Sequence, residues 1–169
     1  MTEFKVRPVG EREIPTLTSQ RHKMFEDMHS PPSKDHAVHD NAFPGWAKRG
    51  IRAKRLICFL VEADDGRTVG GATLWLREVQ PYPGFAGGMI PYLMSVYTEP
   101  DFRGMGVGTL VINHAMDWAK DNGYPSMSLH ASKDARKIYK SLGLESGNEM
   151  DYEFKSKSES RRPPRRRAR

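Results

Sequence analysis

The chain has one cysteine, Cys58, among its 169 residues. An internal disulfide is excluded, and a reducing compartment is expected. Cys58 lies in the apolar run Leu56 to Val61 (LICFLV), where a small buried hydrophobe is the expected role rather than a nucleophile. No apolar run approaches the roughly 20 residues that cross a bilayer. The start, Met1-Thr2-Glu3, lacks a signal-peptide pattern. These absences predict a soluble, cytoplasmic protein with no membrane partner. Internal repeats are missing as well. So are zinc-type Cys/His spacing and H-E-x-x-H. His29, His36 and His39, near Asp35 and Asp40, therefore read as surface or substrate-loop residues, and no metal is expected.

The body of the chain also lacks a charge excess. The formal net charge is +6, but residues 161–169 hold six arginines and no acid, leaving 21 of the 27 basic side chains against all 21 acidic ones. The positive charge belongs to a tail and says little about the folded surface. We expect one domain over residues 1–155, long enough to bury a core, and a disordered basic tail over 156–169.

Local patterning orders the elements. Phe4 and Val6 alternate with Glu3 and Lys5, a first strand that Arg7-Pro8 should break. From Glu11, Ile14, Leu17, Met24, Phe25 and Met28 recur at helical spacing, with Pro15 in the first turn. Ser30-Pro31-Pro32-Ser33 should stop that helix. Asp35 to Lys48 predicts a second, short helix interrupted at Pro44-Gly45 and anchored on the core by Trp46, or presenting Trp46 as an aromatic wall to a substrate. Leu56 to Val61 predicts a buried central strand, and Asp64-Asp65-Gly66-Arg67 a hairpin turn. Val69 to Val79 returns, with Gly70-Gly71 marking a bulge or close approach. A Pro/Gly loop over 81–88 precedes a strand from Met89 to Tyr97.

After that strand comes Arg103-Gly104-Met105-Gly106-Val107-Gly108-Thr109, and then an amphipathic helix with Leu110, Val111, Ala115, Trp118 and Ala119 on one face, closed at Gly123. Ser126 to Ala131 alternates as a strand. Ser132 is placed to cap a short helix with Ala135, Ile138, Tyr139 and Leu142 on its face. Met150, Tyr152 and Phe154 predict a last half-exposed strand.

Strand, glycine loop and helix make an anion-binding layout, because bare N–H groups and the positive helix end converge on one place. Arg103 adds a charge that can fork onto phosphate. Walker A is excluded, since no Lys follows Gly108. The dinucleotide fingerprint G-x-G-x-x-G does not fit the spacing G-x-G-x-G, which also comes late in the chain.

Arg103 to Gly108, seven residues after a strand Val96, resembles the acetyl-CoA signature [RQ]-x-x-G-x-[GA] of the GCN5-related N-acetyltransferase (GNAT) family. A second stretch, Ser132 to Leu144, is similar to that family's N-x-x-A-x-x-x-Y-x-x-x-G-F. Ala135, Tyr139 and Gly143 match; Ser132 stands for the usual Asn and Leu144 for the usual Phe. The resemblance covers about residues 4–154. It implies an α/β fold with a central, mostly antiparallel sheet, splayed between strands 4 and 5 and flanked by about four helices.

It also implies acetyl transfer from acetyl-CoA, as co-substrate, to an amine. Pantetheine would lie along Met94, Ser95, Val96 and Tyr97, with Ser132 close by. The pyrophosphate would sit on Arg103, Gly104, Met105, Gly106, Val107, Gly108 and Thr109. Tyr139 takes the position of the acid that protonates the leaving thiolate, and a backbone N–H near Val96 that of the oxyanion donor. The glutamate that serves some members as base falls at Ile90 here, leaving Glu99 or Glu78 as substitutes; other members use ordered water. Lys133, Arg136 and Lys137 suit either the ribose phosphate of CoA or a solvated helix face.

The acceptor expected first is a small-molecule amine, such as an antibiotic, polyamine or amino-acid-like metabolite. A protein N-terminus or Lys is the alternative within the class. Outside it stands a non-catalytic CoA-binding protein whose Arg tail recruits nucleic acid or another acidic partner. A homodimer fits any of the three.

Overall fold

A computed structural model describes residues 2–28, 36–133 and 135–150. Among these residues five strands form one open sheet in the order β1-β2-β3-β4-β5. They are β1 Phe4–Val9, β2 Leu56–Ala63, β3 Thr68–Val79, β4 Gly88–Thr98 and β5 Ser128–Leu129. The first three pairings are antiparallel, and β4 with β5 is parallel. Four helices among the described residues flank the sheet: α1 Ile14–Met28, α2 His36–Arg52, α3 Val107–Asp121 and α4 Arg136–Ser141. This is the mixed α/β architecture expected.

Strand alternation sorts the core into two layers. Phe59, Val61, Ala63, Leu74 and Leu93 face α3, where Val107, Val111, Ile112 and Ala115 meet them. Leu56, Cys58 and Leu60 face the other way, onto Ile14 and Leu17 of α1 and Phe43 and Ala47 of α2. Cys58 is 1% exposed, and burial pushes its thiol up to about 12. It is held as an unreactive thiol.

The sheet differs from the sequence expectations at three places. Pro8 does not end β1; it pairs in register with Phe59. β1 is an edge strand, so the missing N–H can face away from the ladder. Pro44 does not interrupt α2, which runs for 17 residues through it. Packing of Phe43, Trp46 and Ala47 on the sheet outweighs the lost helical bond, a case of tertiary contacts overriding local preference. The strand expected over Ser126–Ala131 is reduced to Ser128–Leu129, because β5 parts from β4 beyond Leu129. The strand expected over Met150–Phe154 and the basic tail lie outside the described residues, apart from Met150, which is exposed.

The Asp64–Arg67 turn is present, with Gly66 at φ 83°. Gly70-Gly71 marks both a close approach and an irregularity. A Cβ on Gly70 would stand 2.8 Å from the Tyr97 carbonyl oxygen and 2.8 Å from Val107 Cγ1. Neither neighbour is a flexible side-chain end. Gly70→Ala should therefore cost about 1–3 kcal/mol by overpacking. A thermal melt should fall several degrees, at about 2–4 °C per kcal/mol for a chain of this size. An unchanged melting temperature would show that β3 and α3 have slack there.

Candidate functional site

The ladder between β3 and β4 slips where it reaches the glycines. Gly71 pairs with Tyr97 and Thr73 with Met94, so Ser95 and Val96 together oppose Ala72. This is a β-bulge, and Ser95 carries φ 54°. On the other side, pairing of β4 with β5 stops at Leu93–Leu129. The two strands then diverge around a cleft of about 650 Å³. Met94, Ser95, Val96 and Tyr97 line one wall, His130, Ser132 and Tyr139 the other. A bulge commonly re-aims backbone groups beside an active site. Here it turns a stretch of strand with no β5 partner toward open space.

At the cleft mouth the chain makes a 3-10 turn, Pro100–Phe102, and then the glycine loop. Gly104 and Gly106 adopt φ 77° and 86°, and Gly106 is the N-cap of α3. Val107, Gly108 and Thr109 form the first helical turn rather than loop. No side chain among the described residues caps α3, so its first N–H groups stay available to an external anion. Nothing would lie within 4 Å of a Cβ on Gly104 or Gly106, so the backbone there is open to a close ligand.

Arg103 bends back over this mouth. Its Nε donates to the Thr98 carbonyl at 3.0 Å, and Nη2 pairs with Asp27 of α1. Beside it, Lys23 Nζ meets Glu99 Oε1 at 2.7 Å, and the Tyr97 hydroxyl donates to Glu99 Oε2 at 3.2 Å. Burial, reinforced by the Glu99 charge, pushes the Tyr97 phenol up to about 12. Both Glu99 oxygens are thus engaged, and Glu99 does not line the cleft. Glu78 pairs with Met89 on the exposed far end of β3. That is roughly 20 Å along the sheet from the bulge at the usual strand rise. Ile90 is buried.

Tyr139 is buried in the α3 layer and borders the cleft. Its hydroxyl has no hydrogen-bond partner among the described residues, and burial holds its ionisation above the usual phenol value. Ser132 Oγ accepts from the Ala135 N–H at 3.3 Å, capping the turn that leads into α4. The structure thus brings Met94–Tyr97, Arg103, Ser132 and Tyr139 around one cleft and leaves Glu78 outside it. The sequence reading singles out neither Asp27 nor His130, and takes Tyr92 only as part of a strand; all three line the cleft. Met24, Phe25 and Met28, whose spacing reads as a core stripe, border the cleft instead. Among the described residues no three His, Cys, Asp or Glu side chains cluster as metal ligands, and no helix is long and apolar enough to cross a membrane.

An open sheet parted between two parallel strands, with an uncapped helix start at the mouth, leaves room for an extended ligand and open N–H groups for an anion. Comparison with known proteins narrows this. The acetyltransferase (GNAT) family matches residues 19–144, and the chain belongs to that family. An uncharacterized N-acetyltransferase of Methanocaldococcus jannaschii is 42% identical over 53 residues, which span 30% of this chain and 24% of that relative. A GCN5-related N-acetyltransferase from Ralstonia eutropha JMP134 superposes with a TM-score of 0.81 at 20% identity, covering 90% of this chain and 99% of that one. A predicted acetyltransferase with acetyl-CoA from Clostridium acetobutylicum gives 0.79 at 22% identity, covering 90% and 96%. These likenesses agree with the observed fold.

Proposed function

We propose that the protein is an acetyl-CoA-dependent N-acetyltransferase that passes the acetyl group directly to a primary amine of a small molecule in a ternary complex. The observation that carries this reading is the stretch Met94–Tyr97, which has no β5 partner on its cleft side and leads to the open start of α3. It offers backbone groups to the pantetheine arm and N–H groups to the pyrophosphate in one continuous track. Acetyl-CoA supplies an activated thioester acyl group. Membership of an acetyltransferase family supports the same reading.

The residues divide the work by position. Gly104, Gly106 and the first turn of α3 hold the pyrophosphate. Arg103 exchanges Asp27 for phosphate oxygens. The Val96 N–H, re-aimed by the bulge, donates to the oxyanion of the attacked carbonyl. Tyr139, with its proton retained by burial, gives that proton to the departing sulfur. The amine loses its proton by way of water in the cleft. Glu99 is nearer than Glu78, but both its oxygens are already held by Lys23 and Tyr97, so the proton passes through water to solvent. Holding both reactants in one cleft lowers the barrier by several kcal/mol.

Thermal melting with acetyl-CoA, using NAD and ATP as controls, tests the reading. At a ligand concentration near 100 times Kd the fold should gain about 2.7 kcal/mol, a shift of several degrees. A shift with acetyl-CoA alone is expected, followed by thiol release when amines are added. No shift with acetyl-CoA would overturn the proposal.

A further inference from the structure

Arg77 of β3 has work that the acetyl-CoA track does not explain. By alternation it shares the α2-facing side of the sheet with Trp75, and Trp75 meets Trp46 of α2 edge to face at 6.1 Å between centroids. Trp75 is also the register partner of Tyr92. The Arg77 guanidinium lies 3.9 Å from the centre of the Tyr92 ring, and Nη2 donates to Ser128 Oγ at 3.0 Å. Its Nε is buried without a hydrogen-bond partner, and no ion pair among the described residues includes Arg77. Glu78, next in sequence, points to the opposite face by the same alternation. A half-buried cation without a counter-charge is costly, and such a group calls for an explanation. A ligand that brings the negative charge supplies one.

The position tells which ligand. Tyr92, under the guanidinium, lines the cleft, and Arg77 stands directly behind that ring rather than in the lining itself. The bulge at Ser95 is three residues further along β4, roughly 10 Å at the usual rise. Trp75 is 38% exposed, so an apolar platform flanks the cation. We infer that Arg77, seated on Tyr92 and tied to Ser128, receives the carboxylate of the acetyl acceptor. The acceptor is then an amine whose carboxylate stands several bonds from the reacting nitrogen, with the chain between them lying along Tyr92. This rests on the acetyltransferase reading and deepens it, since it fixes the charge and length of the acceptor.

The test uses the full chain with saturating acetyl-CoA and reads thiol release. Three amines are compared: 6-aminohexanoate, its uncharged terminal amide, and glycine, whose carboxylate is too near its nitrogen. We expect kcat/KM for 6-aminohexanoate to exceed both others by at least about tenfold, as one charge-assisted contact of ~1.5 kcal/mol implies. In Arg77→Gln the preference over the amide should collapse to within about twofold, and in Arg77→Lys it should partly return. Melting curves of each variant verify folding. Equal rates for acid and amide in the unaltered protein would overturn the inference. So would a preference that survives in folded Arg77→Gln, or turnover of none of the three by protein that acetyl-CoA stabilises. Failure of acetyl-CoA to stabilise the protein at all would instead overturn the underlying reading.

Discussion

Gly106→Val should weaken acetyl-CoA binding about 100-fold while leaving the protein folded. Gly106 is the N-cap of α3 and has φ 86°. A branched side chain cannot hold that conformation without strain of about 1–2 kcal/mol, so the loop would relax and carry the first N–H groups of α3 off their line. The added Cβ would also occupy the open space where a phosphate must approach. Losing two hydrogen bonds to a charged ligand, at about 1.5 kcal/mol each, gives the factor of about 100. Melting reads it directly. At the concentration that stabilises the original protein by about 2.7 kcal/mol, the variant should gain only about 0.4 kcal/mol. Gly104→Ala should lie between the two. Equal stabilisation of Gly106→Val and the original would mean that the pyrophosphate does not use this loop.

The strand–glycine loop–helix geometry was legible in the sequence because it is local. Arg103 to Thr109 is one continuous stretch, and the need for positive φ at Gly104 and Gly106 shows as glycine. The strand and helix on either side follow from apolar spacing. The splay of the sheet was less legible. Ser126 to Ala131 alternates as a strand should, yet only Ser128 and Leu129 pair with β4. Pairing depends on what the neighbouring strand does, and no single segment encodes it.

Pro8 and Pro44 misled for a related reason. A proline's cost depends on whether its missing N–H had a partner, which for Pro8 turns on β1 being an edge. The acceptor wall was hardest to see. Met24, Phe25 and Met28 have core spacing, and nothing local shows that they face a cleft. Arg77 looks like any outward residue of an alternating strand. Only the fold, which sets Trp75 against Tyr92 and Tyr92 against Ser128 and lays the guanidinium over the Tyr92 ring, shows its setting, with no ion-pair partner among the described residues.

Tyr139→Phe should lower kcat about 100-fold, the lower end of what a positioned acid contributes, with little change in the KM for acetyl-CoA. The structure separates chemistry from folding here unusually cleanly. The ring packs in the α3 layer, and phenylalanine fills the same space. The hydroxyl makes no hydrogen bond among the described residues, so its removal leaves no partner stranded. Melting temperature should therefore hold steady or rise slightly, and a fall in kcat cannot be ascribed to a loosened fold. The pH profile sharpens the test. Burial raises the ionisation of Tyr139, so the phenol keeps its proton past the ordinary value near 10. In the original protein turnover should thus persist on the alkaline side, where the amine is neutral and the acid still protonated. In Tyr139→Phe the deficit should remain across that range, since alkaline pH supplies no replacement acid. Turnover equal to the original at every pH would make Tyr139 a core residue whose hydroxyl merely borders the cleft, and the departing sulfur would then leave as thiolate.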